Sequence, residues 1–238
     1  MVLNRANLGN GAIKKITEKI ERIAPILEGV YGHPTYHPHA QEDPLDELIR
    51  TILSQNTTDA NTHLAWSRLK RRWPTWEGLW VEGGAVSLQD AIKPGGLSAI
   101  KAERIINILG ELMEREGKLS LDILREMDDE GAIAYLISFK GVGLKTAYCV
   151  LAFSLGRDLL PVDTHILRLS RRLGFLPERT TMDEAHIILN RATPSGMALS
   201  FHMNLIAHGR EVCSARNPHC MRCPLTVECL YYSGEVVV

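Results

Sequence analysis

Apolar residues recur along most of this chain at steps of three and four, the spacing of one face of a helix. Ile13, Ile16, Ile20, Ile23 and Ile26 form one such stripe. Leu45, Leu48, Ile49, Ile52 and Leu53 form a second, and Ile100, Ile105, Ile108, Leu109 and Leu112 a third. Strict alternation of apolar and polar residues, the mark of a half-buried strand, is scarce. Asp59 and Asp163 stand where an N-cap would, Pro44 can open a helix, and Gly174 can close one. The stretch 33–44, HPTYHPHAQEDP, reads as a loop, with further breaks at Trp73-Pro74, Lys93 to Gly96 and Thr193 to Gly196. The pattern predicts an all-α protein of about ten short helices. No linker or repeat divides it, so a second domain would form where the two chain ends meet.

Composition narrows the class. Of 238 residues, 45% are hydrophobic and 23% charged, which excludes disorder, collagen and coiled coil. No apolar run reaches the roughly eighteen residues of a membrane span. The amino terminus has no apolar stretch followed by a small-residue cleavage site, so the expected address is cytoplasmic, nucleoid-associated in a prokaryote. The 27 basic residues balance 28 acidic ones, so overall charge gives no argument for nucleic-acid binding. The balance is uneven, however. Residues 111–130 hold eight acids and three bases, whereas residues 140–180 hold seven bases and three acids, which leaves a local basic face.

Three segments carry candidate chemistry. In AYLISFKGVGLKTAYCVLAFSL (134–155), one apolar helix ends near Ser138 and Gly141-Val142-Gly143 makes a tight turn. A second helix starts near Leu144 or Lys145, with its amides facing the turn, where an anion can sit. Read by itself, this is also what a plain helical hairpin looks like. In LLPVDTHILRLSRRLGF (159–175), Asp163 precedes a helix whose apolar side is Ile166, Leu169 and Leu173. Arg168, Arg171 and Arg172 face elsewhere, as a solvated face would. Finally, Cys213, Cys220, Cys223 and Cys229 fall within 17 residues, and in a reducing compartment such a quartet points to metal. Four thiolates suit either tetrahedral zinc or an iron–sulfur cluster. Cys149 reads as a buried small hydrophobe. Trp66, Trp73, Trp76 and Trp80 read as core, and His33, His37 and His39 share a loop with no pattern of further ligands.

Together these segments resemble the endonuclease III branch of the helix-hairpin-helix (HhH-GPD) DNA glycosylase superfamily. GVGLKTA is close to the hairpin signature and PVDTHILRLSRRLG to the catalytic-aspartate segment. DELIRTILSQNTTD, GLSAIKAERI and HGREVC extend the likeness over roughly residues 25–230. The resemblance implies Lys145 as nucleophile and Asp163 as its carboxylate partner. It implies a [4Fe-4S] cluster on Cys213, Cys220, Cys223 and Cys229, whose loop carries Arg216, His219 and Arg222 as phosphate contacts. Gln55, Asn56, Lys140, Gly141, Val142 and Gly143 are the other implied DNA contacts. The implied fold is a central six-helix bundle over 47–157, with the hairpin at about 131–155. Against it would pack an iron–sulfur cluster domain built from 1–46 and 158–238, with DNA in the cleft between. The expected partner is damaged double-stranded DNA, bound by a monomer with no membrane association.

The implied activity is a bifunctional glycosylase and abasic-site lyase of base excision repair, removing oxidised or ring-damaged pyrimidines. The target nucleotide must leave the stack before its glycosidic carbon can be reached. A lysine amine, ordinarily of pKa about 10.4, must be neutral to attack C1′. Partial burial and the positive end of its own helix are expected to lower that value, while the Asp163 carboxylate opposes them. Two positions depart from the family pattern. Asn56 stands where the family's glutamine fills the gap left by the flipped base, with Gln55 beside it. Lys140 replaces a proline before Gly141, which restores a backbone N–H and adds a charge. Two other functions fit the same scaffold: a mismatch-directed uracil or thymine glycosylase, and a non-catalytic iron–sulfur DNA-binding protein.

Overall fold

A computed structural model describes residues 8–35 and 43–235. All regular structure among them is helical. In chain order the helices are α1 (Asn10–Tyr31), α2 (Pro44–Ser54), α3 (Asp59–Arg72), α4 (Trp76–Glu82), α5 (Ala85–Ile92) and α6 (Ser98–Glu116). There follow α7 (Asp129–Ile137), α8 (Leu144–Cys149), α9 (Thr164–Arg172), α10 (Met182–Ala192), α11 (Ala198–Glu211) and α12 (Leu230–Ser233). The chain divides into two units, residues 39–156 and residues 1–38 with 157–238. No described helix is long and apolar enough to cross a membrane.

In the unit 39–156, α2 is the central element. Asp43 caps it, accepting from the N–H groups of Leu45 and Asp46 at 2.8 and 3.2 Å, and Pro44 occupies the first turn. Its predicted stripe, Leu45 to Leu53, is wholly buried against α3, α6 and α8. Helix α8 continues into a widened π-helical turn, Val150–Ser154, which is buried throughout and also packs on α2. Cys149 is buried here as expected. Trp73 and Trp76 are buried too, and the Trp76 indole donates to Asp46 Oδ1 at 2.8 Å. Trp66 is half-buried, tilted against Trp76. Trp80, expected in the core, is instead 41% exposed and lies over Gly110 of α6.

In the other unit, α1 packs on α10 and α11, and α9 packs on α11 and α12. Ile16, Ile20, Ile23 and Leu27 of α1 are buried, but Ile26 is not. A strict three-residue step drifts off a face that turns every 3.6 residues, so Leu27 takes the place expected of Ile26. Ile100 of α6 is likewise exposed, because five residues before Ile105 it points off the buried face, which Lys101 and Ala102 occupy one turn earlier. At the start of α3 the cap is Thr58, whose Oγ1 accepts from Asn61 N–H, while Asp59 is already the first helical residue. The predicted loop 33–44 lies partly outside the described residues, as do His37 and His39. His33 is described, and its Nδ1 pairs with Glu28 Oε1 at 2.7 Å.

Candidate active site

The hairpin, α7 and α8 with the turn between them, is formed by the last part of the sequence of the unit 39–156. Helix α7 ends at Ile137, and buried Phe139 anchors the turn that follows. Val142 is also buried, and its N–H donates to Phe139 O at 3.1 Å. Expected as a DNA contact, Val142 therefore shapes the turn from within, its side chain and its amide both spent on it. Gly141 has φ +87, and a Cβ there would collide with the guanidinium of Arg104. Only glycine meets both conditions at once. Gly141, Gly143 and Lys140 are exposed, and Lys145, the second residue of α8, is half-buried.

The segment after α2 lies beside this turn. Gln55 is the C-cap of α2; its Oε1 accepts from Arg104 Nη1 at 2.7 Å and its Nε2 donates to Thr146 Oγ1 at 3.4 Å. One side chain thus ties α6 to the residue next to Lys145. Asn56 follows, exposed and with φ +53, a left-handed conformation that asparagine tolerates better than most residues. Lys101 of α6 is buried and donates to Leu53 O at 2.7 Å and Gly95 O at 2.8 Å, which fixes where α2 ends.

Asp163 lies in the other unit. Its Oδ1 accepts from Ile166 N–H at 2.8 Å, so it caps α9 as predicted. The second carboxylate oxygen makes no hydrogen bond among the described residues. The extended segment leading to Asp163 is held by side chains from α10 and α11 rather than by a sheet. Asn190 accepts from Leu160 N–H at 2.7 Å and donates to Leu160 O at 2.9 Å. His202 Nδ1 donates to Pro161 O at 2.9 Å. His186 Nδ1 donates to Met182 O, so its Nε2 is the acceptor for Val162 N–H, each at 2.9 Å. Backbone polar groups that a loop would leave buried and unpaired are thereby satisfied.

The four C-terminal cysteines, from Cys213 to Cys229, line one cavity together with Val212, Pro218, Thr226, Tyr231 and Tyr232. Among the described residues no three His, Cys, Asp or Glu side chains are gathered into a ready metal site. The cavity is nevertheless ringed by donors. Arg172 Nη1 lies 3.2 Å from Cys213 Sγ, and Leu225 N–H is 3.4 Å from Cys223 Sγ. His208 Nε2 is 3.5 Å from Cys223 Sγ, and burial pushes the imidazole down to about 4, so it is neutral at pH 7. Burial pushes the thiols of Cys223 and Cys229 up, and the neighbouring thiols add to this. Arg172, expected on a solvated face, is 3% exposed; it also donates to Ser214 O and Ala215 O. Arg168 likewise turns inward, to Gly209 O and Cys213 O. Arg216 and Arg222 are exposed, and Arg222 donates to Glu211 O at 2.7 Å.

A family profile described as HhH-GPD superfamily base excision DNA repair protein matches residues 49–194. The chain belongs to the HhH-GPD superfamily. Within it the likeness is to the endonuclease III branch of DNA glycosylases. The chain is 35% identical to endonuclease III of Thermotoga maritima over 202 residues, 83% of this chain and 90% of that one. It is 37% identical over 180 residues to a putative DNA glycosylase of Arabidopsis thaliana, covering 76% of this chain but only 61% of that protein. A solved non-covalent endonuclease III–DNA complex superposes with TM-score 0.76 at 25% identity, covering 92% of this chain and 97% of that one.

Against this HhH-GPD background, the residues that sequence patterns missed are those acting at a distance. Arg104, Lys101, His186, Asn190 and Arg172 all bond to groups far away in sequence. One signal was available: His186 and Asn190 are polar residues four apart on α10, a helix whose other inward positions are Ala185, Ile188, Leu189 and Ala192.

Proposed function

We propose that this DNA glycosylase is bifunctional, releasing oxidised or ring-damaged pyrimidines from duplex DNA and then cutting the strand at the abasic site. What carries the proposal is Lys145, the second residue of the helix that follows the Gly141-Val142-Gly143 turn, in a chain of the endonuclease III branch. The amides of Gly141 and Gly143, left over once Val142 N–H has closed the turn, hold a backbone phosphate beside the lesion. Exposed Asn56 faces the gap left by the flipped base, since Gln55 is held by Arg104 and Thr146.

As a neutral amine, Lys145 attacks C1′; the C1′–N bond breaks, and the base leaves with its bonding electrons and is protonated. Ring opening gives a protonated Schiff base. Removal of a C2′ proton then expels the 3′ phosphate, cutting the strand 3′ to the lesion. Asp163 uses one carboxylate oxygen to cap α9, and the other stabilises the cationic sugar and relays protons.

The cysteine cavity fits a [4Fe-4S] cluster held by Cys213, Cys220, Cys223 and Cys229. Arg172 Nε is buried without a hydrogen-bond partner, and the same guanidinium reaches Cys213 Sγ. Such a cation suits an anionic thiolate group better than four neutral thiols. Thiols that surround a cavity without converging suit a cluster better than one zinc ion with sulfurs at about 2.3 Å. When bound, the cluster cross-links the loop 213–229; Arg216 and Arg222 on that loop are assigned to DNA phosphates.

The test is borohydride reduction on a duplex with a single abasic site, comparing wild type with Lys145→Gln. Wild type is expected to form a covalent adduct, and the variant to bind without trapping. A wild type that binds but gives no adduct would exclude the amine nucleophile and leave a water-using glycosylase.

A further inference from the structure

The cations of α6 stand out once the hairpin is assembled. Lys101 and Arg104 lie three residues apart on one helix; burial first, and then the neighbouring Arg104 charge, push the Lys101 ammonium down. Neither forms an ion pair with a described carboxylate; their hydrogen-bond partners are Leu53 O, Gly95 O and the neutral amide of Gln55. Lys101 is sealed in the interior. Arg104 is not: it is half-buried, its guanidinium packs on exposed Gly141, and Nη1 is fixed on Gln55 Oε1.

A half-buried arginine normally finds a carboxylate, because desolvating a charge without a counter-charge is costly. Here the acceptor is uncharged. Gln55 is itself held by Thr146, so the guanidinium is oriented in advance without being neutralised. A site built this way keeps its positive charge for an anion from outside, presented at Gly141, an exposed residue of the turn with no side chain to shield it. We propose that Arg104 is a phosphate ligand of the bound DNA strand, with Gln55 as the residue that positions it. This rests on the proposed function for the kind of anion involved. It adds a second cation to a turn whose other candidate contacts are the amides of Gly141 and Gly143 and the exposed Lys140.

The charge gives the inference a quantitative signature. Each phosphate neutralised by a protein cation contributes about −0.9 to the slope of log K against log salt. Losing one such contact should therefore flatten the slope by about 0.9 and weaken binding about eightfold at 0.1 M salt. The measurement is anisotropy of a labelled duplex carrying an uncleavable tetrahydrofuran site, titrated with the full-length protein from 0.05 to 0.3 M KCl, roughly the range over which such slopes are read. Arg104→Gln is expected to show the reduced slope, and Arg104→Lys to recover most of it. Gln55→Glu, which sets a carboxylate on the same guanidinium, is expected to mimic Arg104→Gln while leaving Arg104 in place. A folded Arg104→Gln protein with the wild-type slope would overturn the phosphate assignment. Gln55→Glu with the wild-type slope would overturn the positioning role. A wild type showing no salt-dependent binding to this duplex would strike at the proposed function itself, an outcome distinct from either.

Discussion

Lys101 fixes a turn that has no regular structure of its own. Helix α2 ends at Ser54, and its last carbonyls have no partner within the helix. The Lys101 ammonium, buried, answers one of them at Leu53 and reaches Gly95 with a second bond. A cation at a helix C-terminus is also favoured by the helix dipole. The turn so fixed carries Gln55 and Asn56, so a residue with no access to DNA decides where two candidate DNA contacts stand. Lys101→Met keeps the chain length and removes the charge, leaving two buried carbonyls without their donor. The expected loss is about 3 kcal/mol, lowering the melting temperature by roughly 6–12 °C. Urea and thermal unfolding read this directly. A loss below about 1 kcal/mol would mean that water or a neighbouring group replaces the ammonium.

At the scale of elements, the extended segment 159–163 is as informative as any helix. It is bonded by Asn190, His202 and His186, from 24 to 41 residues away in sequence. His186 is specified on both sides: Nδ1–H is given to Met182 O, so Nε2 must accept from Val162 N–H, one residue before Asp163. His186→Leu removes that acceptor, and we expect single-turnover base release to slow on the order of tenfold through misplacement of Asp163. Affinity for an abasic duplex should stay within about twofold, as is usual away from an interface. His186→Gln, which can both donate and accept, should restore much of the rate. The Val162 amide should exchange faster in the leucine variant and be protected in the glutamine one. Equal rates in wild type and His186→Leu would remove the positioning role. These elements also mark how far the sequence was legible. The α2 stripe, the Asp163 cap and the hairpin turn were readable because helical period and capping are local. The Thr58 cap was missed because Asp59 is an equally good candidate one residue on. Arg172 read as solvent-facing because nothing local shows that Cys213 comes to meet it.

For the whole molecule, the two units place different groups. Lys145 and the hairpin belong to residues 39–156, while Asp163 and the cysteines belong to the unit formed by both chain ends. Within that second unit the cysteine loop and α9 are tied repeatedly. Arg172 bonds to Cys213, Ser214 and Ala215, and Arg168 to Gly209 and Cys213. Gly174, at φ +76, leaves room for Leu230, where any Cβ would collide. Arg22 of α1 grips Glu228 with two bonds of 2.9 and 3.1 Å. Removing the proposed cluster by ferricyanide oxidation and chelation should therefore loosen a definite region. Hydrogen exchange is expected to accelerate across 164–175 and 208–233, where the bonds just named converge. Protection should persist in 45–53 and 144–154, whose buried contacts run among α2, α3, α6 and α8. Exchange that rises evenly in both units would show that the cluster supports the molecule as a whole. No change anywhere would mean that Arg172 and its neighbours hold the loop unaided. In the expected case, cluster loss disturbs the helix capped by Asp163 and leaves the Lys145 hairpin formed, so base release should fall while the phosphate contacts proposed for the hairpin persist.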